Sequence, residues 1–509
     1  MRECSPTDPG PQVIEEDDEQ WRARLLECAE VLEAVEENRG LLAAAPTELR
    51  ERFLRAAGRV SVADHQALRQ LRKEEARRRR QSRSKADAKL LEKTGIRVAR
   101  TEAVFATPSG EAPRRLASPD EGEALLQRER GCYICKKPYR AVHAFYDSMC
   151  RPCGDFNWER RTQTADLSGR VALVTGARVK IGYQAGIKLL RAGCRLLVTT
   201  RFPVDAAARY AGEDDFEEWR DRLQIYGLDL RHTPSVEAFC RQLLLAESRL
   251  DFIINNACQT VRRPPGFYRH LMDGERNPAG RLGESALDLV ALDAPESTGS
   301  SPALREGLDG GAAELSQLPL LPEDLDSGLH LFPGGMLDAD LQQRDFRRVN
   351  SWRLHLDEVP AVELLEVHLV NAVAPFILNA RLKPLMLKVA TADKHIVNVS
   401  AVEGQFYRTF KTARHPHTNM AKASLNMLTR TAAPDYIRDG IHMNSVDTGW
   451  VTDEDPAHHA ARKRREHDFH PPLDIVDGAA RICDPILHGI RTGEHVWGRF
   501  LKDYQPTDW

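Results

Sequence analysis

Short apolar runs that alternate with helical stretches restrict the fold of this chain more than any other feature. From residue 169 onward the runs read "RVALVTGA", "CRLLVTT", "LQIYGLDL", "LDFIINNA", "KHIVNVSA" and "IHMNSVDTG", with helix-length stretches between them. Short apolar strands separated by helices are typical of α/β proteins with a doubly wound parallel sheet. The sequence therefore predicts a Rossmann sheet over residues 168 to 509.

The turn after the first run, "TGARVKIG", has the form of a dinucleotide-binding loop. Gly176 allows a tight turn, Gly182 allows the next helix to approach the sheet, and the N-terminus of that helix can receive a pyrophosphate. Lys180 and Ile181 lie between the two glycines. We expect Lys180 either to contact the pyrophosphate as a cation or to crowd its approach.

The end of the second strand bears on the choice of cofactor. It reads "VTTR", without an acidic residue that could bind a ribose 2′-hydroxyl. Arg201, together with Arg178, could instead pair with a 2′-phosphate. The charges favour NADP(H) over NAD(H).

Four further features agree with a nucleotide-binding sheet. "NNA" (255–257) follows the fourth strand, Asp229 follows the third, Ser400 ends the fifth, and Lys422 lies on the helix after it. Together with the glycine turn they resemble the short-chain dehydrogenase/reductase family over about residues 168 to 509, interrupted by one insertion. The resemblance implies an oxidoreductase that acts on a carbonyl or alcohol substrate.

The resemblance also implies roles for individual side chains around the cofactor and the reacting carbon. By position these are Asp229 (adenine contact), Asn255, Asn256 and Ala257 (bracing of the sheet beside the cofactor), Asn371 (proton relay), Ser400 (orientation of the substrate carbonyl), Lys422 (nicotinamide ribose) and Thr452 (cofactor amide or phosphates). Thr448 stands where the family has a proline.

One family residue is absent. The tyrosine expected four residues before Lys422 is Thr418, an aliphatic alcohol that is too short and too weak an acid to replace it. The connection "AVEGQFYRTFKTARHPHTNMA" also brings Lys411 and His415 near the cleft, and we expect Tyr407 or His417 within it to handle the proton. The alternative is that Tyr407 and His417 only pack within this loop and take no part in proton transfer.

Two cysteine pairs precede the sheet. Cys132 and Cys135 form one C-x-x-C, Cys150 and Cys153 form the second, and fourteen residues separate the pairs. Four thiolates at such spacing can enclose Zn²⁺ tetrahedrally. We predict a structural, zinc-ribbon-like module over residues 125 to 165, in which His143 could replace one cysteine.

The N-terminal region is expected to be disordered over residues 1 to 18 and helical over 19 to 100. One of its helices carries Arg77 to Arg80, followed by Arg83 and Lys85. This cluster could contact a polyanion or a protein, or could simply be a solvated helix face.

The insertion, at about residues 262 to 345, leaves the sheet at the edge where ligands bind. Its centre is rich in Gly, Pro, Ser and acidic residues, a composition that does not pack on its own. Both a lid over the site and a disordered excursion are consistent with this pattern.

Composition narrows the classes of function. The formal net charge of −3 gives no global attraction to nucleic acid or to anionic membranes, and no apolar run of about 18 residues suggests a membrane span. We expect a cytoplasmic protein, and the family resemblance suggests a homo-oligomer. The two functional hypotheses are an atypical NADP(H)-dependent oxidoreductase and an inactive NADP(H)-binding scaffold or sensor whose helical and zinc regions recruit partners.

Overall fold

The computed structural model describes residues 18–62, 65–108, 125–291, 311–325, 328–408, 411–452, 454–467 and 469–509. These residues belong to two compact units, Met1–Arg83 and Ser84–Trp509. The predicted disorder of residues 1 to 18 lies almost wholly outside the described residues.

The first unit is helical. It contains α1 (Asp18–Glu37), a 3₁₀ turn (Arg39–Ala44), α2 (Thr47–Ser61) and most of α3 (His65–Leu91), which continues into the second unit. Trp21, Leu25 and Leu32 lie on α1, and between 44 and 53% of each is exposed. The apolar face of α1 is therefore not buried within this unit.

The second unit begins with a small cysteine-containing module and continues as a large sheet. Its strands are β1 (Leu125–Gly131), β2 (Pro138–Ala141), β3 (Val171–Thr175), β4 (Arg195–Thr200), β5 (Leu223–Gly227), β6 (Phe252–Asn255), β7 (Val290–Ala291), β8 (Lys394–Ser400), β9 (Ile441–Asp447), β10 (Phe500–Lys502) and β11 (Gln505–Thr507). β1 and β2 form a separate antiparallel hairpin.

The helices of this unit connect and cover the strands. They are α4 (Gly95–Ala99), α5 (Arg151–Thr162), α6 (Lys180–Arg191), α7 (Pro203–Tyr210), α8 (Phe216–Trp219), α9 (Thr233–Ala246), α10 (Pro265–Arg276), α11 (Pro278–Arg281), α12 (Glu284–Leu287), α13 (Ala312–Leu315), α14 (Ala361–His368), α15 (Ala374–Met386), α16 (Pro416–Tyr436), α17 (Ala457–His467) and α18 (Ile475–Thr492).

The large sheet has the order β11-β10-β9-β8-β6-β3-β4-β5-β7, and every neighbouring pair except β10 and β11 is parallel. Every residue of β3, β8 and β9 is buried, because helices cover both faces. The strand order reverses between β3 and β6, which opens a crevice at the carboxyl ends of the strands. The predicted α/β Rossmann sheet is confirmed.

The stretch Ala361–Met386 combines α14, a π-helical turn (Leu369–Val373) and α15. Within the described chain it is the one helix whose length and mean hydropathy, 1.6 over its most apolar window, would suit a bilayer. Buried residues make up 44% of that window, and Leu378, Leu382 and Leu385 belong to the core beneath the sheet.

The described parts of the insertion are anchored to the sheet domain. β7 pairs with β5 at the sheet edge, and α10 packs against α7. The guanidinium of Arg262 donates to both carboxylate oxygens of Asp324, at 2.7 and 2.6 Å, and to Glu366 at 3.2 Å. Residues 292–310 and 326–327, which include most of its Gly- and Ser-rich centre, lie outside the described residues.

Candidate functional site

A cavity of about 1630 Å³ lies at the carboxyl ends of the parallel strands. Its walls come from the glycine turn, from the ends of β8 and β9, from residues 337–346 of the insertion, and from the cysteine module. The volume exceeds that of an ordinary small-molecule pocket. It is therefore large enough for an extended dinucleotide and a second ligand.

The glycine turn has no room for side chains at its two ends. Gly176 has a φ of +66°, and a Cβ atom there would lie 2.8 Å from the Cα of Ala257. A Cβ at Gly182 would lie 2.3 Å from the Nδ2 of Asn256. Lys180, at the middle position, has a φ of +56°, so it keeps the left-handed backbone for which glycine is usually needed.

The chain after β6 braces this turn. Asn256 donates to the carbonyl oxygens of Thr175 (3.0 Å) and Gly176 (3.2 Å), and the N–H of Ala257 donates to the hydroxyl of Thr175 at 3.0 Å. Asn255 is buried and donates to the side-chain oxygens of two other asparagines. The "NNA" motif thus fixes β6 against β3 beside the cavity.

The two arginines predicted to bind a 2′-phosphate have different partners. Arg178 is buried, and its guanidinium lies 2.6 Å from the carboxylate of Asp205. Arg201 donates to the phenol oxygen of Tyr268 at 2.6 Å. Burial acts to raise the pKa of Tyr268, but the charge of Arg201 and other nearby arginines outweighs burial and lowers it. Both arginines line the cavity, yet only Arg201 has a formally neutral partner here.

Asp229 lies at the cavity wall after β5, as predicted. Its carboxylate accepts hydrogen bonds from the backbone N–H (2.9 Å) and guanidinium (2.6 Å) of Arg231, which also contacts Glu366 at 2.9 Å. The carboxylate is thus committed to Arg231, while the neighbouring chain from Leu228 to Leu230 lines the cavity.

Three of the predicted catalytic residues have defined partners. Asn371 lies in the π-helical turn, where its oxygen accepts from the N–H of Gln259 (2.8 Å) and its nitrogen donates to the carbonyl of Gln259 (3.0 Å). Ser400 donates to the Oδ1 of Asn426 at 2.6 Å. Lys422 is buried and donates to the carbonyl of Val399 at 2.8 Å. The side chains at 400 and 422 both border the cavity.

The structure does not bring the two predicted proton donors to the cavity. Tyr407 is 78% exposed and does not line it. His417 is 1% exposed, with its Nε2 3.7 Å from the carboxylate of Glu363 in α14. His417 lies five positions before Lys422, which is about 140° around the helix, so its side chain faces away from the cavity side of α16. The Thr418 hydroxyl is itself buried without a hydrogen-bond partner.

His415 lines the cavity with Ser400 and Lys422, as do Glu403, Arg408 and Lys411 of the same loop. It immediately precedes α16 with a φ of +43°, and its ring stacks on Trp352 at 4.0 Å between centroids. Burial lowers its pKa. Because this backbone conformation places His415 outside the helix, its spacing from Lys422 does not show whether the two side chains share one face.

The loop after β9 carries acidic groups to the cavity. Thr452 donates to the carboxylate of Glu454 at 2.7 Å. Burial would raise the pKa of Glu454, but the charge of Lys180 and the Thr452 hydroxyl hold it below its usual value. Burial raises the pKa of Asp447, at the end of β9, to about 6.

The four predicted cysteines converge. The Sγ atoms of Cys132, Cys135, Cys150 and Cys153 all lie within 4.8 Å of one another. The Sγ atoms of the middle two are 3.7 Å apart, and tetrahedral zinc with bonds of about 2.3 Å would place sulfurs about 3.8 Å apart. The donor set and its geometry therefore fit a zinc ion.

The surroundings of the cysteines differ from the predicted ribbon. The first pair follows β1 within the hairpin, but the second pair lies at the start of α5 rather than in a second β-turn. The backbone N–H of Lys137 lowers the pKa of the Cys135 thiol to about 7. His143 accepts hydrogen bonds from two backbone N–H groups and does not join the cluster.

Comparisons with known proteins agree with this architecture. Residues 170–269 match the short chain dehydrogenase model, and residues 352–470 match the enoyl-(acyl carrier protein) reductase model. The uncharacterized protein R665 of Acanthamoeba polyphaga mimivirus is 32% identical over 385 residues, which are 73% of this chain and 74% of the viral protein. Retinol dehydrogenase 11 of Mus musculus is 32% identical over 114 residues, 22% of this chain and 36% of the mouse protein.

Among solved structures, carbonyl reductase Sniffer of D. melanogaster is 17% identical, with a TM-score of 0.41 over 67% of this chain and 100% of that chain. The family models match the segments that carry the glycine turn, the "NNA" motif and Ser400 with Lys422. The chain belongs to the short-chain dehydrogenase/reductase family.

Proposed function

We propose that this protein is an atypical NADP(H)-dependent oxidoreductase that interconverts an alcohol and a carbonyl compound. The observation that carries this proposal is the shared cavity: Ser400 and Lys422 line it together with the turn formed by Gly176 and Gly182. The space beside the two glycines can receive the phosphates of a dinucleotide, and the cavity extends from there to Ser400 and Lys422.

NADP(H) is preferred over NAD(H) because of Arg201. Its guanidinium lines the cavity and contacts a phenol rather than a carboxylate, so its charge is available to a 2′-phosphate. Arg178 contributes less, because its guanidinium is already paired with Asp205, a carboxylate that it shares with Arg209. Lys422 would hold the ribose on the nicotinamide side, and Lys180 would contribute positive charge at the phosphates.

His415 takes the proton in this proposal, in place of Tyr407 or His417. A bound nicotinamide would supply or accept the hydride. Ser400 would orient the substrate oxygen, and His415 would accept the proton of the alcohol hydroxyl. Burial lowers the pKa of His415 and so favours the neutral ring, which is the form that can accept the alcohol proton. The same ring returns that proton when the carbonyl compound is reduced.

Nucleotide binding is tested by titrating NADPH and NADH into the purified protein and following nucleotide fluorescence. We expect NADPH to bind more tightly. Arg201→Ala should weaken NADPH more than NADH, because only NADPH carries the 2′-phosphate, whereas Lys422→Ala should weaken both. Absence of binding for both nucleotides would exclude the oxidoreductase proposal.

Turnover is tested with a panel of alcohols and aldehydes, in which retinol and retinal are included because retinol dehydrogenases are among the relatives. His415→Phe keeps an aromatic ring against Trp352 but cannot accept a proton. We expect it to lose turnover and to retain NADPH affinity. Tyr407→Phe is the matched control, because its exposed side chain should affect neither quantity.

The rival function is a nucleotide-binding scaffold or sensor without turnover. It is favoured by Thr418, which stands where the family tyrosine should be and whose hydroxyl is buried without a partner. A sensor would bind NADPH with the same dependence on Arg201, yet oxidise no member of the panel. The two functions thus separate at the turnover assay.

We also propose that the four cysteines hold one structural zinc ion. With four thiolates filled, the metal has no open position for catalysis, so it stabilises the hairpin against α5. Elemental analysis should find about one zinc per chain. Cys150→Ser should lose the metal and lower the unfolding temperature.

A polyanion contact through α3 is a separate proposal. Arg77 to Arg80 are exposed on this helix, with Glu74 3.7 Å from Arg77 as a partial counter-charge. Replacing the four arginines with glutamine should abolish binding to a nucleic-acid duplex or an acidic vesicle. Binding through this helix should also weaken steeply between 50 and 200 mM salt, as is typical of counterion release.

A further inference from the structure

The chain between β9 and α18 forms a loop over one wall of the cavity. We call residues 450–473 the cavity loop; it contains α17, and its residues 453 and 468 lie outside the described chain. Glu454, Pro456 and Phe469 are among its cavity-lining residues. The two ends of the loop meet, since the N–H of Leu473 donates to the carbonyl of Trp450 at 3.3 Å.

The first end of the cavity loop contacts the cysteine module. Tyr133 lies between Cys132 and Cys135, and its phenol oxygen accepts a hydrogen bond from the N–H of Trp450 at 3.0 Å. The backbone at Gly449 lies close to Tyr133, because a Cβ atom at Gly449 would lie 3.3 Å from the same phenol oxygen. Tyr133 also lines the cavity.

The second end is held by the same module and the segment before it. Arg100 donates to the carbonyl oxygens of Pro471 and, at 3.1 Å, Leu473. The side chain of Leu473 is fully buried in an apolar cluster that it shares with Val451 and with the module. The module residues of that cluster are Leu126, Cys132, Tyr139, Phe145, Tyr146 and Met149.

The helix that follows the cavity loop is also fixed by the module. Arg161 of α5 donates to both carboxylate oxygens of Asp474 (2.6 and 2.8 Å) and to Asp477 (2.9 Å). Tyr146 donates to Asp477 at 2.6 Å. Asp474 caps α18, so these contacts set the point at which the loop ends.

We infer that the cysteine module positions the cavity loop, with Tyr133 as the positioning residue at its first end, and that nucleotide affinity therefore depends on the metal-bound module. A loop whose ends are fixed loses less conformational freedom when a ligand orders it. If metal and nucleotide both require the fixed loop, each must strengthen binding of the other. The expected effect on nucleotide affinity rests on the proposed function, whereas the positioning of the cavity loop rests on the contacts described above.

The test compares Tyr133→Phe with Tyr139→Phe in the full-length, metal-containing protein. Both changes remove one phenol oxygen from the module, but that of Tyr139 donates within the module, to the carbonyl of Asp147. Trypsin can cut the cavity loop at Arg462 to Arg465 in α17. The rate of that cut, with the cleavage site identified by mass spectrometry, measures how firmly the loop is held. NADPH titration measures the affinity of the nucleotide site.

We expect Tyr133→Phe to keep its zinc content and to raise both the loop cleavage rate and the NADPH Kd by roughly fivefold to tenfold, the scale of one lost hydrogen bond. Tyr139→Phe should leave both near wild type. NADPH should also slow the release of zinc to a chelator.

Equal cleavage rates in the two variants would overturn the inference, whatever the nucleotide data show. Unequal rates, with no NADPH binding by any form of the protein, would uphold the positioning of the loop and refute the proposed function. Unequal rates with equal NADPH affinities would refute the coupling between the module and the nucleotide site.

Discussion

Asp447 ends β9 at the cavity wall, and only 5% of it is exposed. Burial raises its pKa from 3.8 to about 6, helped by the negative charges of Glu403 and Asp503 and opposed by Lys502 and the N–H of Gly449. The folded protein therefore disfavours the ionised carboxylate. Asp447→Asn removes the charge and keeps a side-chain oxygen that can accept from the same N–H.

The size of the effect follows from proton linkage. A pKa raised by about two pH units corresponds to ~3 kcal/mol of folding free energy, at 1.36 kcal/mol per unit. Because the folded pKa lies above the unfolded value, the cost is absent below about pH 4, grows between pH 4 and 6, and is complete above pH 6. Asp447→Asn should therefore stabilise the protein at pH 7.5 and not at pH 4.

Thermal unfolding without nucleotide measures this difference. An unfolding entropy of about 2.1 cal/mol/K per residue gives ~0.9 kcal/mol/K for the roughly 430 residues of the second unit, so ~3 kcal/mol corresponds to about 3 °C in Tm. We expect Asp447→Asn to raise the Tm by about 3 °C at pH 7.5, with the gain declining to zero near pH 4.

Asp393→Asn is the matched control of opposite sign. Hydrogen bonds from Arg170 lower the pKa of Asp393 to about 2, so its contribution to stability is present above pH 4 and is lost as the pH falls towards 2. The side chain is 25% exposed, which reduces the expected loss at pH 7.5 to about 1–2 kcal/mol.

A gain for Asp447→Asn that is the same at pH 4.5 and 7.5, or a loss at pH 7.5, would refute the reasoning.

Three further predictions concern the turn, the insertion and the sheet. Gly182→Ala should raise the NADPH Kd more than tenfold, because its Cβ would lie 2.5 Å from a carbonyl oxygen, whereas Gly283→Ala meets nothing within 4 Å and should bind normally. Arg262→Met should lower the free energy of unfolding by about 3–5 kcal/mol in chemical denaturation, since it leaves the buried charge of Asp324 with only two backbone N–H donors and no counter-charge. A change below about 1 kcal/mol would contradict this. Burial lowers the pKa of His395, so the contribution of its neutral ring to stability should be complete above pH 6.5 and decline below that pH. His395→Gln should flatten this decline in a profile of Tm from pH 7.5 to 5.

The sequence predicted the parallel sheet and the turn around Gly176 because both depend on local features. Apolar runs of strand length, glycine at a positive φ and paired cysteines each restrict a short segment of chain, whatever surrounds it. The convergence of four cysteines also follows from spacing, because two C-x-x-C pairs have few other uses.

The sequence could not rank the side chains of the loop before α16. Tyr407, His415 and His417 are close together in the sequence, yet one is exposed, one lines the cavity and one lies in the core. Their directions depend on the start of α16 and on the stacking of His415 against Trp352, which comes from a different segment. Periodicity carries no information about such a contact.

The sheet, the cofactor turn and the set of converging cysteines can be predicted from the sequence, because these features arise from residues near one another in the chain. The pairing of Arg178 with Asp205 and the contact between the cysteine module and the cavity loop become visible only in the folded chain. Tyr133 and Trp450 are 317 positions apart. No local pattern encodes such a pair, since it forms only when the complete sheet brings its carboxyl edge against the module.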